Sequence, residues 1–212
     1  MGTIDDILGT SFEEIISNIR AEPLNIEYLH QLVDYLFFDG DLERMKEVLE
    51  NILQIDEENS LAYLRLADIY RLSDNEELFE KCLQLSVKYA QDHEAHPHLE
   101  LGQFYIDQEE FALAVAQYEI AYMKSPSLDT RGHLGFAYLR NGQFEDAKVL
   151  LEATYNETKA LCETGENERL SFTIAADSLI ELYQKIGEPL LAETITQVLR
   201  DSPYNFNKII LD

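Results

Sequence analysis

The side chains that could do chemistry in this 212-residue chain are few and scattered. His93, His96 and His98, with Asp92 and Glu94 beside them, form the one grouping whose residue types could ligate a zinc-like metal. A metal needs its ligands to converge on one point, and a turn leading into a helix sends such side chains apart. A solvated turn with no metal site is therefore the expectation. Cys82 and Cys162 are the two thiols, neither with a His placed as a base, and both are expected to be reduced, small buried hydrophobes. No Gly-rich phosphate loop, nucleophile elbow or nucleophile with a placed base occurs in the sequence, so neither catalysis nor a cofactor is expected.

Charge narrows the partners. Sixteen basic residues face 41 acidic ones, a net of -25, and the acidic excess runs from one end to the other. Such a field repels nucleic acid phosphates and anionic lipid head groups and favours basic partners, although it also keeps an extended surface from self-associating. No apolar run approaches the ~18 residues of a membrane span. Asp5 and Asp6 stand where a secretory leader would carry Lys or Arg. No nucleic acid, no membrane and a cytoplasmic location follow as expectations.

The elements that would position any site are helices. Gly and Pro are sparse, at 9 and 5 residues, which suits long helices joined by short turns. Apolar residues recur with helical spacing on both sides of regular breaks. Leu29, Leu32, Val33 and Leu36 precede Asp39-Gly40-Asp41, and Met45, Leu49, Ile52 and Leu53 follow it. Tyr63, Leu66, Ala67 and Tyr70 are divided from Phe79, Leu83 and Val87 by Ser73-Asp74-Asn75. Asn141-Gly142 and Gly187-Glu188-Pro189 make later turns. Ser11-x-x-Glu14 is a capping box before Phe12, Ile15, Ile16 and Ile19.

Two stretches repeat one pattern. His98-x2-Leu101-Gly102-x2-Tyr105 with Ala114-x3-Tyr118 returns as Arg131-x2-Leu134-Gly135-x2-Tyr138 with Ala147-x3-Leu151. A period of about 34 residues with these positions resembles the tetratricopeptide repeat. The resemblance covers residues 11–203. It implies an all-α, right-handed superhelical solenoid of antiparallel helix pairs, about 11 helices in all. The expected organisation is a capping helix region over 1–24 and five pairs over 25–203. Those pairs span 26–59, 60–94, 95–127, 128–161 with an extension to 172, and 173–203. A short helix or tail over 204–212 follows. The extension is expected as a lengthened second helix, through Leu151, Tyr155, Thr158 and Leu161, and then an acidic loop from Glu163 to Glu168. Met45 and Phe79 at positions usually held by Ala, and Arg131 where an aromatic is usual, depart from the pattern.

The resemblance further implies a concave groove lined by the first helix of each pair. Positions one residue, about 100°, beyond the core positions would form its wall. That register nominates His30, Asp34, Phe37, Leu64, Asp68, Arg71, Leu99, Gln103, Ile106, Phe136 and Leu139, with Arg65 and Arg140 from the neighbouring stripe. Phe37, Leu64, Leu99, Ile106 and Phe136 would make an apolar track flanked by Arg65, Arg71 and Arg140. An exposed track of this kind marks an interaction site. The alternative is that neighbouring helices cover these side chains. The functional expectation is an adaptor holding an amphipathic protein or peptide segment with basic residues. An acidic chaperone for a secreted or assembling client and a structural module of a larger protein stand beside it. The sequence leaves the oligomeric state open.

Overall fold

The computed structural model describes residues 4–164 and 169–201, and over that range the chain is all-α. Its helices are α1 (Ile4–Leu8), α2 (Phe12–Ala21), α3 (Ile26–Asp39), α4 (Leu42–Ile55), α5 (Ser60–Leu72) and α6 (Glu76–Tyr89). They continue as α7 (His96–Asp107), α8 (Phe111–Lys124), α9 (Leu128–Arg140), α10 (Phe144–Thr164), α11 (Arg169–Lys185) and α12 (Pro189–Asp201). Among them α1 is a five-residue helix that periodicity did not announce. None of the described helices is long and apolar enough to cross a membrane. The tail over 204–212 and residues 165–168 of the expected acidic loop lie outside the described residues.

Turn chemistry sets the boundaries. Gly40, at φ 79°, ends α3 in the left-handed conformation, and the Asp41 carboxylate accepts from the Arg44 amide to start α4. Asn25, Asn59 and Asn75 cap α3, α5 and α6 in the same way. Ser11 caps α2 by accepting from the Glu14 amide. The fully reciprocal capping box lies elsewhere, between Ser127 and Thr130 at the start of α9. Pro189 opens α12, where its missing N–H is harmless.

The chain divides into two compact units, Met1–Gln91 and Asp92–Asp212. In the first, α2 packs on α3 through the Phe12 and Tyr35 rings, 5.1 Å apart, with Ile15 fully buried beside them. Leu29, Val33 and Leu36 of α3 and Met45, Leu49 and Ile52 of α4 are buried on the facing sides of their pair. Met45 thus fills the interior where the repeat usually carries Ala. Ser60 and Ser86 join α5 to α6 by reciprocal bonds. Each hydroxyl donates to the other residue's carbonyl, at 3.0 and 2.9 Å, in a buried setting. A buried hydroxyl left unpaired would cost about 1–3 kcal/mol, so this double bond fixes how the two helices meet.

In the second unit three pairs, α7/α8, α9/α10 and α11/α12, share two contiguous cores. Close approach within a pair depends on glycine. A methyl carbon on Gly102 would lie 2.6 Å from Cε1 of Tyr118, whose ring is fully buried. Gly135 meets Leu151 in the same register, at 2.9 Å. Tyrosines tie consecutive pairs together. Tyr138 of α9 donates to Glu119 of α8 at 2.7 Å, and Tyr183 of α11 donates to Glu152 of α10. Lys148 of α10 lies over the Tyr183 ring. Burial first, and then the Glu119 carboxylate, push the Tyr138 hydroxyl up to about 12.

The extension expected after the fourth pair is helical on both sides. α10 runs for 21 residues and α11 begins at Arg169, a few residues earlier than periodicity suggested. Tyr155 stacks on Phe172 at 5.4 Å, and Thr158 and Cys162 are buried. Arg131, in place of an aromatic, reaches α10 instead, where its guanidinium donates to Thr154 at 3.0 Å and pairs with Glu157.

Two substitutions separate steric need from helix propensity. Alanine gains up to ~1 kcal/mol over glycine inside a helix. Gly132→Ala, whose new carbon would meet nothing nearer than Thr154 at 3.8 Å, should raise thermal stability by that order. Gly102→Ala should lower it by roughly 1 kcal/mol net, because overpacking a rigid ring costs about 1–3 kcal/mol. A Gly102→Ala protein melting at or above wild type would remove the close-approach argument. The Tyr138 shift has a pH consequence of fixed sign. The fold holds the neutral phenol, so its contribution is complete below the unfolded value near 10 and is lost as pH rises toward 12. Urea midpoints should fall across that window, and Tyr138→Phe should flatten the fall.

Candidate functional site

In the first unit the expected wall residues are occupied with one another. Arg65 of α5 donates to Asp34 of α3 at 3.0 Å and approaches Asp68 at 3.7 Å, and Arg71 donates to Asp68 at 2.8 Å. His30 bonds the Asn59 amide oxygen at 3.2 Å. Burial pulls its imidazole below the ordinary value, partly offset by that bond and by Asp34. Two arginines expected to flank a partner therefore serve an internal ion network linking α3 to α5. Leu64 is buried, with 6 % of its surface exposed. Phe37 is exposed and meets Phe38 edge-on at 5.8 Å.

In the second unit the expected track is also interrupted. Leu139 is buried at 1 % exposure in the core shared with Leu151, Leu179 and Tyr183. Leu99 and Ile106 pack against the core built from Ala114, Tyr118 and Leu134. The apolar track is thus interrupted at Leu64 and Leu139, while Leu99 and Ile106 are only partly buried. A helix flanked by neighbours buries an arc wider than one 100° step, so the position next to the core is covered as well. Arg140 stacks on the Phe111 and Phe136 rings, 5.0 and 5.8 Å from their centres.

What does open there is a cavity of about 470 Å³ walled by α7, α9 and α11, with α10 behind. Gln103 reaches it from α7, and its amide also donates to Asp107 at 2.8 Å. From α9 come Asp129, Gly132, His133 and Phe136, and from α11 come Ile174, Asp177, Ser178 and Glu181. Gly132 leaves open the space that a side chain would take. His133 lies 3.4 Å from the Asp129 carboxylate and 5.2 Å from the Tyr118 ring, and Glu181 lies 3.5 Å from Lys185. Asp177 makes no hydrogen bond or ion pair among the described residues, and desolvation raises its carboxyl above the usual range. The walls carry three carboxylates and no Lys or Arg.

Of the nominated residues, the cavity brings together Gln103 and Phe136. The α11 side was not nominated, although its signal was available. The same one-residue step beyond Ala176 and Ile180 gives Asp177 and Glu181.

The remaining His and Cys candidates lie outside this cavity. His98 is buried and bonds Gln117 at 2.9 Å, while His93 and His96 are exposed. Burial lowers the His98 imidazole, with Gln117 opposing. Among the described residues no group of three His, Cys, Asp or Glu is placed to hold a metal ion. Cys82 and Cys162 are free and buried, and burial pushes the Cys82 thiol up to about 11, far from a reactive thiolate.

No family model and no curated protein matches the sequence. Solved structures do match. BtubC from P. vanneervenii aligns at a TM-score of 0.70 and 15% identity, covering 95% of this chain and 94% of its own. The TPR-like repeats of a putative kinesin light chain from Podosopora anserina align at 0.61 and 20% identity, covering 83% and 93%. YrrB, described as a TPR protein with an unusual peptide-binding site, aligns at 0.60 and 14% identity, covering 86% and 97%. At such identities the likeness concerns fold, and it coincides with the repeat positions Leu101-Gly102, Leu134-Gly135, Ala114 and Ala147. The fold of this chain is the tetratricopeptide-repeat fold.

Proposed function

We propose that this chain is an interaction scaffold whose second unit receives an amphipathic segment of a partner protein, bearing basic residues, in the cavity between α9 and α11. The observation that carries this reading is the cavity itself: it is open, partly apolar and lined by the first helices of successive pairs. Phe136 and the half-exposed Ile174 offer apolar contact on opposite walls. The charged residues that line the cavity with them are the carboxylates Asp129, Asp177 and Glu181, on a chain of net charge -25. A basic segment entering that field gains from steering and from the contact potential, whereas an acidic one is opposed. The arginines that could have welcomed an acidic partner are held by Asp34, Asp68, Phe111 and Phe136. YrrB, of the same fold, is described by its peptide-binding site, which supports a segment-binding role for such a surface. A scaffold acting in the cytoplasm completes the reading.

The test is partner capture by the tagged full chain from its source lysate, compared with the double variant Phe136→Ser, Ile174→Ser. Captured protein should fall by at least about tenfold, as loss of a central apolar anchor typically costs 2 kcal/mol or more, while the far-ultraviolet helical signal stays unchanged. Undiminished capture by a folded double variant would place the binding surface elsewhere.

A further inference from the structure

We propose that Asp177 is the anchor for a Lys or Arg side chain of the bound segment, seated between α9 and α11; this rests on the segment-binding reading above. The cavity carboxylates differ in what they already hold. Asp129 lies against His133 and Glu181 against Lys185, whereas Asp177 has no partner among the described residues. Its neighbour cannot serve it, because the Ser178 hydroxyl donates to the Ile174 carbonyl at 2.8 Å. Asp177 is exposed on the cavity wall and partial desolvation raises its carboxyl above the ordinary range, so an arriving cation would meet a carboxylate open to it. The flanking surface suits the rest of such a side chain. Phe136, whose ring already carries Arg140 at 5.8 Å, and Ile174 present apolar surface for the methylene stem. A volume of about 470 Å³ holds one long side chain together with an apolar neighbour from the same segment. In the first unit Asp34 and Asp68 are already bridged by Arg65 and Arg71.

The probe is a library of random dodecapeptides displayed on phage and selected on the full chain. The selected peptide is then resynthesised with each Arg replaced by neutral citrulline and each Lys by norleucine. Fluorescence anisotropy at physiological salt compares wild type, Asp177→Asn and a control, Glu43→Gln, which removes one exposed charge on α4. Selected peptides should carry a basic residue beside an apolar one. Wild type and Glu43→Gln should bind the charged form roughly fivefold or more tightly than the neutral one, a typical effect of one specific charge pair. Asp177→Asn should abolish that preference while still binding the neutral peptide. If peptides are selected without a basic residue, or Asp177→Asn keeps the preference, the anchor is overturned and segment binding stands. If selection returns no peptide sensitive to the Phe136, Ile174 double variant, the segment-binding reading fails and the anchor fails with it.

Discussion

Close approach of paired helices is the constraint on which the second unit depends. At Gly102 and Gly135 the backbone of one helix lies against Tyr118 and Leu151 of its partner, with no room for even one added carbon. Interiors are packed at crystal-like density, so such a contact does not average out; it fixes the spacing of the pair. Once the spacing is fixed, the tyrosine three residues after Gly135 falls where it can reach the preceding pair. Tyr138 does so through Glu119. The repeat is thus a chain of consequences, from a missing side chain to an inter-pair hydrogen bond.

Charge shows a second economy. With 41 acidic and 16 basic residues, every cation has a choice of partners. Among the described side chains, Arg65, Arg71 and Arg140 of the first helices are taken by carboxylates or aromatic rings of the same chain. Exposed ion pairs contribute only ~0–1 kcal/mol each, so this arrangement matters less for stability than for what it leaves behind. The field presented at the α9–α11 cavity is acidic because the nearby cations are already engaged.

Helix boundaries and pairing were legible because they rest on local chemistry: Gly40 in the left-handed region, Asn caps, Pro189 at a helix start. The lengthened α10 was legible too, since Leu151, Tyr155 and Thr158 keep helical spacing. The site was only partly so. Register tells which residue lies 100° beyond the core, but not how far the next helix reaches over it. Leu64 and Leu139 are covered, while Phe136, at the same offset, faces open space beside Gly132. Exposure of a position next to the core is a property of three helices at once, and no periodicity within one helix records it. The cavity's second wall, with Asp177 and Glu181, was within reach of the register and needed only its extension to α11.

The lengthened helices bear on how the second unit comes apart. At about 1.5 Å per residue, the 21 residues of α10 outrun the 14 of α8 by roughly two turns. Those turns are sealed by buried Thr158 and Cys162, just beyond Tyr155 stacked on Phe172. Contact between neighbouring helices raises the free energy of local opening. The wall that carries Asp177 is therefore held against a helix longer than any other second helix of its unit.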